Sequence, residues 1–278
     1  MSSDKPRAVT LTLTRFAEPD SLVRQSLAHA LAQEGVSGEV VFVEQQVDSA
    51  ITADDFPGAK LELRIVRRKL AGLSAARNLA LDEARHGLIM FLDADALAAP
   101  DYAAQLAAKL VNDDVAVAGA RIVPQWPGNP PALAKARAVY DQYSLLDLGG
   151  STQPYHRVVG AGFGVDMGKL PRDFRFDENL GRRDGRLFGG EESDFTTRAR
   201  ALGYRSLYVG SAVVTHLIEP ERTGLGWIAK RLVYAGHGRA KMGGAPSPGG
   251  KRTNADWLLA PLYVPPYAIG WLWGKFSG

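Results

Sequence analysis

A chain of 278 residues with 46% hydrophobic composition is long enough to bury the core of one large domain or two small ones. Its net charge of +3 leaves 33 basic residues nearly balanced by 30 acidic ones, which excludes the strong positive field of a nucleic-acid binder. The absence of cysteine excludes disulfides, thiolate catalysis and cysteine-bound zinc, and the polar N-terminus carries no secretory signal, so a cytoplasmic location is expected.

Alternating Val, Thr and Leu predict a first strand over residues 9–13. Leu22, Leu27, Ala30 and Leu31 predict a helix over 21–33, and strands follow at 39–43 and 61–66. A loop then opens into a helix over 74–84, with Ser74 as its N-cap and Ala75, Ala76 and Leu79 as good helix formers. An apolar strand over 88–92 ends in Asp93-Ala94-Asp95, a helix is predicted over 103–110 and a strand over 115–123. Strands alternating with helices imply a largely parallel sheet with crossover helices. Beyond a Pro- and Gly-rich turn at 124–131 the pattern predicts a helix over 132–148, a loop over 149–156 and a strand over 158–165. Gly160, Gly162 and Gly164 in that strand permit close backbone approach; they lack the spacing and following helix of a dinucleotide loop. A helix over 196–201 is opened by Glu191, Glu192 and Asp194, since carboxylates are favoured at a helix N-terminus. Short strands at 205–209 and 212–215 end in His216.

Side chains two apart on a strand point the same way, so Asp93 and Asp95 can aim at one spot beyond the strand's carboxyl end, where open α/β sheets bind ligands. Two hard oxygen donors there suit Mg²⁺ or Mn²⁺ bridging to a diphosphate. Each motif alone also has a plainer reading. Asp93-Ala94-Asp95 is compatible with a strand-end turn, Glu191 and Glu192 with first-turn helix carboxylates, His216 with a packed histidine, and Arg77 with an ion pair to Asp82 or Glu83 on its own helix.

Together, in this order and spacing, the motifs name a family. The chain resembles family 2 glycosyltransferases of the GT-A fold over residues 9–216. The resemblance rests on Gly72-Leu73-Ser74-Ala75-Ala76-Arg77-Asn78, Phe91-Leu92-Asp93-Ala94-Asp95, Phe176-Asp177-Glu178, Gly190-Glu191-Glu192-Ser193-Asp194-Phe195 with Arg198, and His216. It implies an α/β fold, GT-A and Rossmann-like, with a mostly parallel central sheet flanked by helices. Residues 1–118 would form the nucleotide-sugar half, 119–219 the acceptor-binding and catalytic half, and 220–278 a helical, aromatic extension.

The implied activity is metal-dependent, inverting transfer of a sugar from a nucleotide-diphosphate sugar to the hydroxyl of a sugar or lipid-linked acceptor, in polysaccharide or glycolipid synthesis of the cell envelope. By the resemblance, Asp93 and Asp95, flanking Ala94, hold Mn²⁺ or Mg²⁺ against the donor, and His216 completes the metal site. Thr14, Glu44 and Arg77 fall on the donor side, Gly162 and Asp194 on the acceptor side. Glu192 is the base, with Glu191 as second choice. Two motifs depart from the family: Thr12-Leu13-Thr14-Arg15 replaces Pro-Thr-x-Asn, and Glu44 stands where an Asp usually meets the donor base. These departures leave open a non-catalytic, nucleotide-sugar-binding or scaffolding relative. A nucleotidyltransferase lacks support, because no Gly-rich, Arg-containing loop follows the first strand.

Residues 243–250 read as a Gly/Pro/Ser linker, followed by Lys251 and Arg252 and then an uncharged run from Trp257 to Trp273. A bilayer span needs ~20 apolar residues, and Pro261, Pro265 and Pro266 argue against one straight helix. Trp257, Tyr263, Tyr267, Trp271 and Trp273 resemble interfacial anchors, so peripheral attachment to the inner face of the cell membrane is expected. The competing expectation is packing on the catalytic domain or on a second subunit.

Overall fold

The computed structural model describes residues 6–45, 49–69, 72–183, 187–241, 243 and 253–277. Its spine is a mixed sheet built from β1 (Arg7–Arg15), β2 (Val36–Gln45), β3 (Glu62–Arg68), β4 (Leu88–Asp93), β5 (Ala96–Ala98), β6 (Val115–Gln125), β7 (Gln153–Pro154), β8 (Gly162–Asp166) and β9 (Arg205–Leu217). Their order is β3-β2-β1-β4-β8-β6-β9-β5, with β7 also on β9. The first four strands run parallel, β8 is antiparallel to both its neighbours, and β6 and β9 are again parallel. The expected α/β sheet is therefore present, with an antiparallel strand at its centre.

The helices are α1 (Asp20–Leu31), α2 (Leu73–Glu83), α3 (Tyr102–Leu110), α4 (Arg137–Tyr140), α5 (Glu191–Ala201), α6 (Leu225–Lys241) and α7 (Asn254–Phe276). Both faces of the parallel strands are covered, and the alternation of β2 makes this visible. Val40 and Phe42 join the core packed by α1 and α3, whereas Val41 and Val43 meet Ala76 and Ala80 of α2. Strands buried on both faces read as apolar runs, which is why these segments were legible as strands. A stack of Phe91, Phe163, Phe176 and Phe195 seals α5 against the other side of the sheet.

Several local expectations are corrected. Helix α2 begins at Leu73 behind Gly72 (φ +111°), and Ser74 does not cap it; the Ser74 hydroxyl donates instead to the Leu180 carbonyl at 2.7 Å. The helix expected over 132–148 is only α4 between two single 3₁₀ turns, halted at Ser144 (φ +57°), after which Leu146 exchanges backbone hydrogen bonds with Ile122. Strand β8 starts at Gly162, later than expected, and α5 at Glu191, earlier. The two short strands before His216 are one strand, β9, whose pairing with β6 slips between Ala120 and Arg121.

The largest correction lies at the C-terminal end. Pro261, Pro265 and Pro266 do not divide α7, which is a single helical element opened by a Thr253–Asp256 capping box. Packing explains its persistence. Tyr263 and Tyr267 are buried in the main core, and α7 meets α6 backbone to backbone through glycines. A Cβ on Gly270 would stand 1.8 Å from the Val233 carbonyl oxygen, and one on Gly236 2.0 Å from that of Tyr267. Small residues at such a crossing let helices approach closely, and the dispersion attraction of so close an approach offsets the backbone bonds that proline cannot make. Tyr263 and Tyr267 are thus core residues and not interfacial anchors, while Trp257, Leu258, Leu262, Ile269, Leu272 and Phe276 stay exposed along the other side of α7. Among the described residues no helix is long and apolar enough to cross a membrane. Residues 244–252, which hold most of the expected linker together with Lys251 and Arg252, lie outside the described residues.

Replacing Gly270 with Val forces α6 and α7 apart. Overpacking of this kind costs about 1–3 kcal/mol or more. The thermal unfolding midpoint should fall accordingly; an unchanged midpoint would mean that the two helices do not meet at Gly270.

Candidate active site

A cleft opens beyond the carboxyl ends of β1, β2 and β4 and is closed on its far side by the start of α5 and by α6. Its organising group is Arg77 on α2, 2% exposed. Nη1 donates to Glu191 Oε1 at 2.8 Å, and Nη2 to Asp93 Oδ1 at 3.1 Å and the Gly160 carbonyl at 3.4 Å. The guanidinium also lies over the rings of Phe163 and Phe176. Burial disfavours the Arg77 charge, but Glu191 and Asp93 outweigh it and raise its pKa. Gly160 makes the room: a Cβ there would stand 2.7 Å from Arg77 Nη2. The alternative partners on the helix of Arg77 are taken elsewhere, Asp82 by Arg175 and Glu83 by Arg64.

Asp95 sits in the turn between β4 and β5 and is buried. Its Oδ1 is 3.1 Å from His216 Nε2, and its Oδ2 accepts from Arg222 Nη2 at 3.1 Å. The pairing of β5 with β9, Ala96 opposite His216, produces the first contact. Burial raises the Asp95 carboxyl, yet His216 and Arg222, aided by Arg182, hold it well below the ordinary carboxylate range. The other nitrogen of His216, Nδ1, lies 2.8 Å from the Tyr143 carbonyl. A carbonyl can only accept, so Nδ1 carries a proton and in the neutral ring Nε2 turns a lone pair toward Asp95. A carboxylate facing a lone pair calls for a cation between them, either a proton on Nε2 or a metal ion. An imidazole oriented by a carbonyl on its other nitrogen is the usual second contact of a metal-binding histidine. The donor set therefore fits a divalent ion held by Asp95 and His216 with substrate oxygens completing the shell. Asp93 is turned to Arg77 instead, so the expected set of Asp93, Asp95 and His216 is not assembled. Among the described residues no three His, Cys, Asp or Glu side chains converge to hold a metal ion.

Across the cleft, Gly190 in a left-handed conformation launches α5 and presents two adjacent carboxylates. Glu191 is buried and committed to Arg77, with Oε2 unpartnered among the described residues. Glu192 lines the cleft without an ion pair among the described residues. Burial first, and repulsion from Glu191 second, push the Glu192 carboxyl well above the ordinary range.

Other expected residues fall in varied places. Thr14 and Ala94 line the cleft, whereas Glu44 is fully buried and tied to Arg15 at 3.1 Å, Arg67 at 2.9 Å and Ser49 at 2.6 Å. Adjacent strand residues point to opposite faces, so it is Gln45 that reaches the cleft. Thr14 Oγ1 and Gln45 Oε1 are buried there without hydrogen-bond partners among the described residues, as groups awaiting a polar ligand would be. Gly162 is enclosed by Val214 and Ala120, and Asp194 is paired with Arg198 at 2.7 Å; the structure does not bring either to this cleft. Sequence reasoning missed Gln45, Arg182, Arg222 and Arg231. The two-residue period of β2 could have pointed to Gln45; no local pattern marks the arginines.

The sequence profile of Glycosyl transferase family 2 matches residues 16–166. The fold is similar to that of a structure described as GalNAc-T7 with UDP, GalNAc and Mn2+, at a TM-score of 0.60 and 12% identity, over 99% of this chain and 57% of that one. This chain therefore spans little more than half the length of that neighbour. It is also similar to the mannosyltransferase PcManGT from Pyrobaculum calidifontis in complex with GDP-Man and Mn2+, at a TM-score of 0.58 and 20% identity, over 96% of this chain and 71% of that one. No curated protein matches the sequence.

Substituting Met for Arg77 leaves Glu191 and Asp93 without their cation. Removing one partner from a buried ion pair costs roughly 3–5 kcal/mol. The deficit is read by denaturant unfolding. A deficit under about 1 kcal/mol would contradict the central role of Arg77.

Proposed function

The chain belongs to glycosyl transferase family 2, and from that premise we propose that it moves a sugar from a nucleotide-diphosphate donor to an acceptor hydroxyl by a single, inverting displacement. It is a glycosyltransferase of the GT-A fold. The observation that carries the finer reading is one cleft with Asp95, tied to His216, on one wall and the Glu191–Glu192 pair on the other.

The donor nucleoside reads against Thr14 and Gln45, whose buried oxygens want partners. Asp95 and His216 would hold Mn²⁺ or Mg²⁺ at the diphosphate. Bound there, the ion supplies Lewis-acid stabilisation of the charge that grows on the departing oxygens. Glu192 acts as general base. Its support is the absence of a cationic partner among the described residues and a proton affinity raised toward the working range, whereas Glu191 is held by Arg77. The acceptor oxygen bonds to the anomeric carbon as the bond from that carbon to the diphosphate breaks, and the acceptor proton passes to the Glu192 carboxylate. One base and no protein nucleophile suffice, which is why inversion is the outcome proposed.

The transfer assay should stop in excess chelator and recover with Mn²⁺ or Mg²⁺. Glu192→Gln should lose roughly 10²–10⁴-fold in rate while keeping nucleoside diphosphate affinity. The base must be ionised, so wild-type kcat/KM should fall as the pH drops through a pKa above the usual carboxylate range, and Glu192→Gln should lack that limb. Loss of activity in Glu191→Gln alone would move the base by one residue. Donor binding without turnover in the wild type would instead support a scaffolding relative.

The acceptor is proposed to lie at a membrane. The support is the exposed apolar row Leu258, Leu262, Ile269, Leu272 and Phe276 on a helix uncharged from Trp257 to Gly274. The protein should sediment with anionic vesicles, and the double substitution Leu262→Glu with Ile269→Glu should release it without lowering the thermal midpoint. A wild type that ignores vesicles and runs as a dimer would assign that row to a subunit contact.

A further inference from the structure

Arg231 lies on α6, beyond the span matched by the family profile. Its guanidinium reaches the cleft from the α6 side. Nη1 donates to the Leu187 carbonyl at 2.8 Å and Nε to that of Gln142 at 3.4 Å. These two bonds aim the fork, and Nη2 beside Gly189 makes no hydrogen bond among the described residues. Arg182, on the loop before α5, lines the same cleft and is fixed by its own carbonyl, which accepts from Leu73 N at 2.9 Å. Neither arginine has a carboxylate within ion-pair distance among the described residues, unlike Arg77, which is matched by Asp93 and Glu191, and Arg222, matched by Asp95 and Glu219. Burial, and then the proximity of Arg182, lower the Arg231 guanidinium to about 10. Glu191 and Glu192 also face this cavity and partly oppose the shift, but beyond ion-pair distance of either arginine, so an arriving anion would offset the remaining cost of two buried cations.

We propose that Arg182 and Arg231 form a phosphate-binding subsite of the cleft. Guanidinium forks match the oxygens of a phosphate, and charge-assisted bonds to it are the strong ones. The phosphate has two sources under the glycosyltransferase reading on which this rests: the diphosphate of the donor, or a phosphate carried by a lipid-linked acceptor. As a donor contact the pair would take up negative charge on the leaving group through groups that need no metal.

The test is calorimetric binding of four probes, UDP, GDP, inorganic pyrophosphate and farnesyl phosphate, to wild type, Arg231→Gln, Arg231→Lys and Arg182→Gln, each checked for a wild-type unfolding midpoint. Arg231→Gln should weaken the phosphate ligand by roughly 10- to 100-fold, the worth of a charge-assisted hydrogen bond. Arg231→Lys should recover part of that, since it keeps the charge and loses the fork. A loss confined to UDP or GDP makes the subsite a donor contact, and a loss confined to farnesyl phosphate makes it an acceptor contact. Uridine and guanosine affinities should not move in either case. If pyrophosphate binds through Arg231 while none of UDP, GDP, ADP, CDP and dTDP binds the wild type, the subsite stands and the glycosyltransferase reading fails. If a nucleotide binds wild type and folded Arg231→Gln and Arg182→Gln alike, and farnesyl phosphate does too, the subsite is overturned and the glycosyltransferase reading remains. Should Arg231→Gln not fold, Arg182→Gln and Arg231→Lys carry the same comparison.

Discussion

The guanidinium of Arg77 is the point on which the cleft depends. A cation this deeply buried is tolerable only with its charge matched on the spot, and the match draws together the end of β4 through Asp93, the start of α5 through Glu191 and the loop before β8 through the Gly160 carbonyl. The geometry is reciprocal. Asp93 at the mouth of a parallel sheet and Glu191 at a helix start would each be an uncompensated carboxylate without Arg77. The phenylalanine rings cover one side of the guanidinium, and the absence of a Cβ on Gly160 allows the approach. This clamp also divides labour between two adjacent glutamates. Glu191 is committed to structure, which leaves Glu192, one residue on, pushed toward the protonated form by burial and by its neighbour.

A second clamp works on the opposite principle. Asp95 lies beside His216 and Arg222, with Arg182 near by, and these hold its carboxyl below the ordinary range despite burial. One carboxylate is held firmly ionised and another close to neutrality within a single cleft. Such separation lets one site offer both a fixed negative charge and a proton acceptor.

Much of the fold was legible because parallel strands buried on both faces and amphipathic crossover helices leave strong local patterns, as in residues 9–13 and 88–92. The cluster of Arg77, Asp93, Asp95, Glu191, Glu192 and His216 was legible as a set of short motifs, although motifs could not say that Asp93 would turn to Arg77 and away from Asp95. What failed was decided by interactions distant in sequence. Ser74 is a good cap by type, yet its hydroxyl finds the Leu180 carbonyl across the fold. Glu44 has the charge that suggests a ligand, but strand alternation sends it to Arg15 and Arg67 and leaves the cleft to Gln45. Three prolines speak against a long helix at the C-terminal end, and glycine-to-backbone packing on α6 overrides them. Residues 132–148 have helical composition, but the bridge from Leu146 to Ile122 draws that stretch toward the sheet. No property of Arg222 or Arg231 announces itself locally, because their partners lie far back in the chain, Asp95 127 residues before Arg222 and Gln142 89 residues before Arg231.

That separation bears on the order in which the protein is made. Arg77 meets Glu191 across 114 positions, and Asp95 meets Arg222 across 127. Chains condense from the N-terminus as they leave the ribosome. The early β-α-β layers can therefore pack while Arg77 and Asp95 still have no partners, and both charges must remain hydrated until α5 and the turn before α6 have emerged. A nascent chain would thus hold its cleft open and wet until Glu191 and then Arg222 had emerged, and the two clamps would shut one after the other.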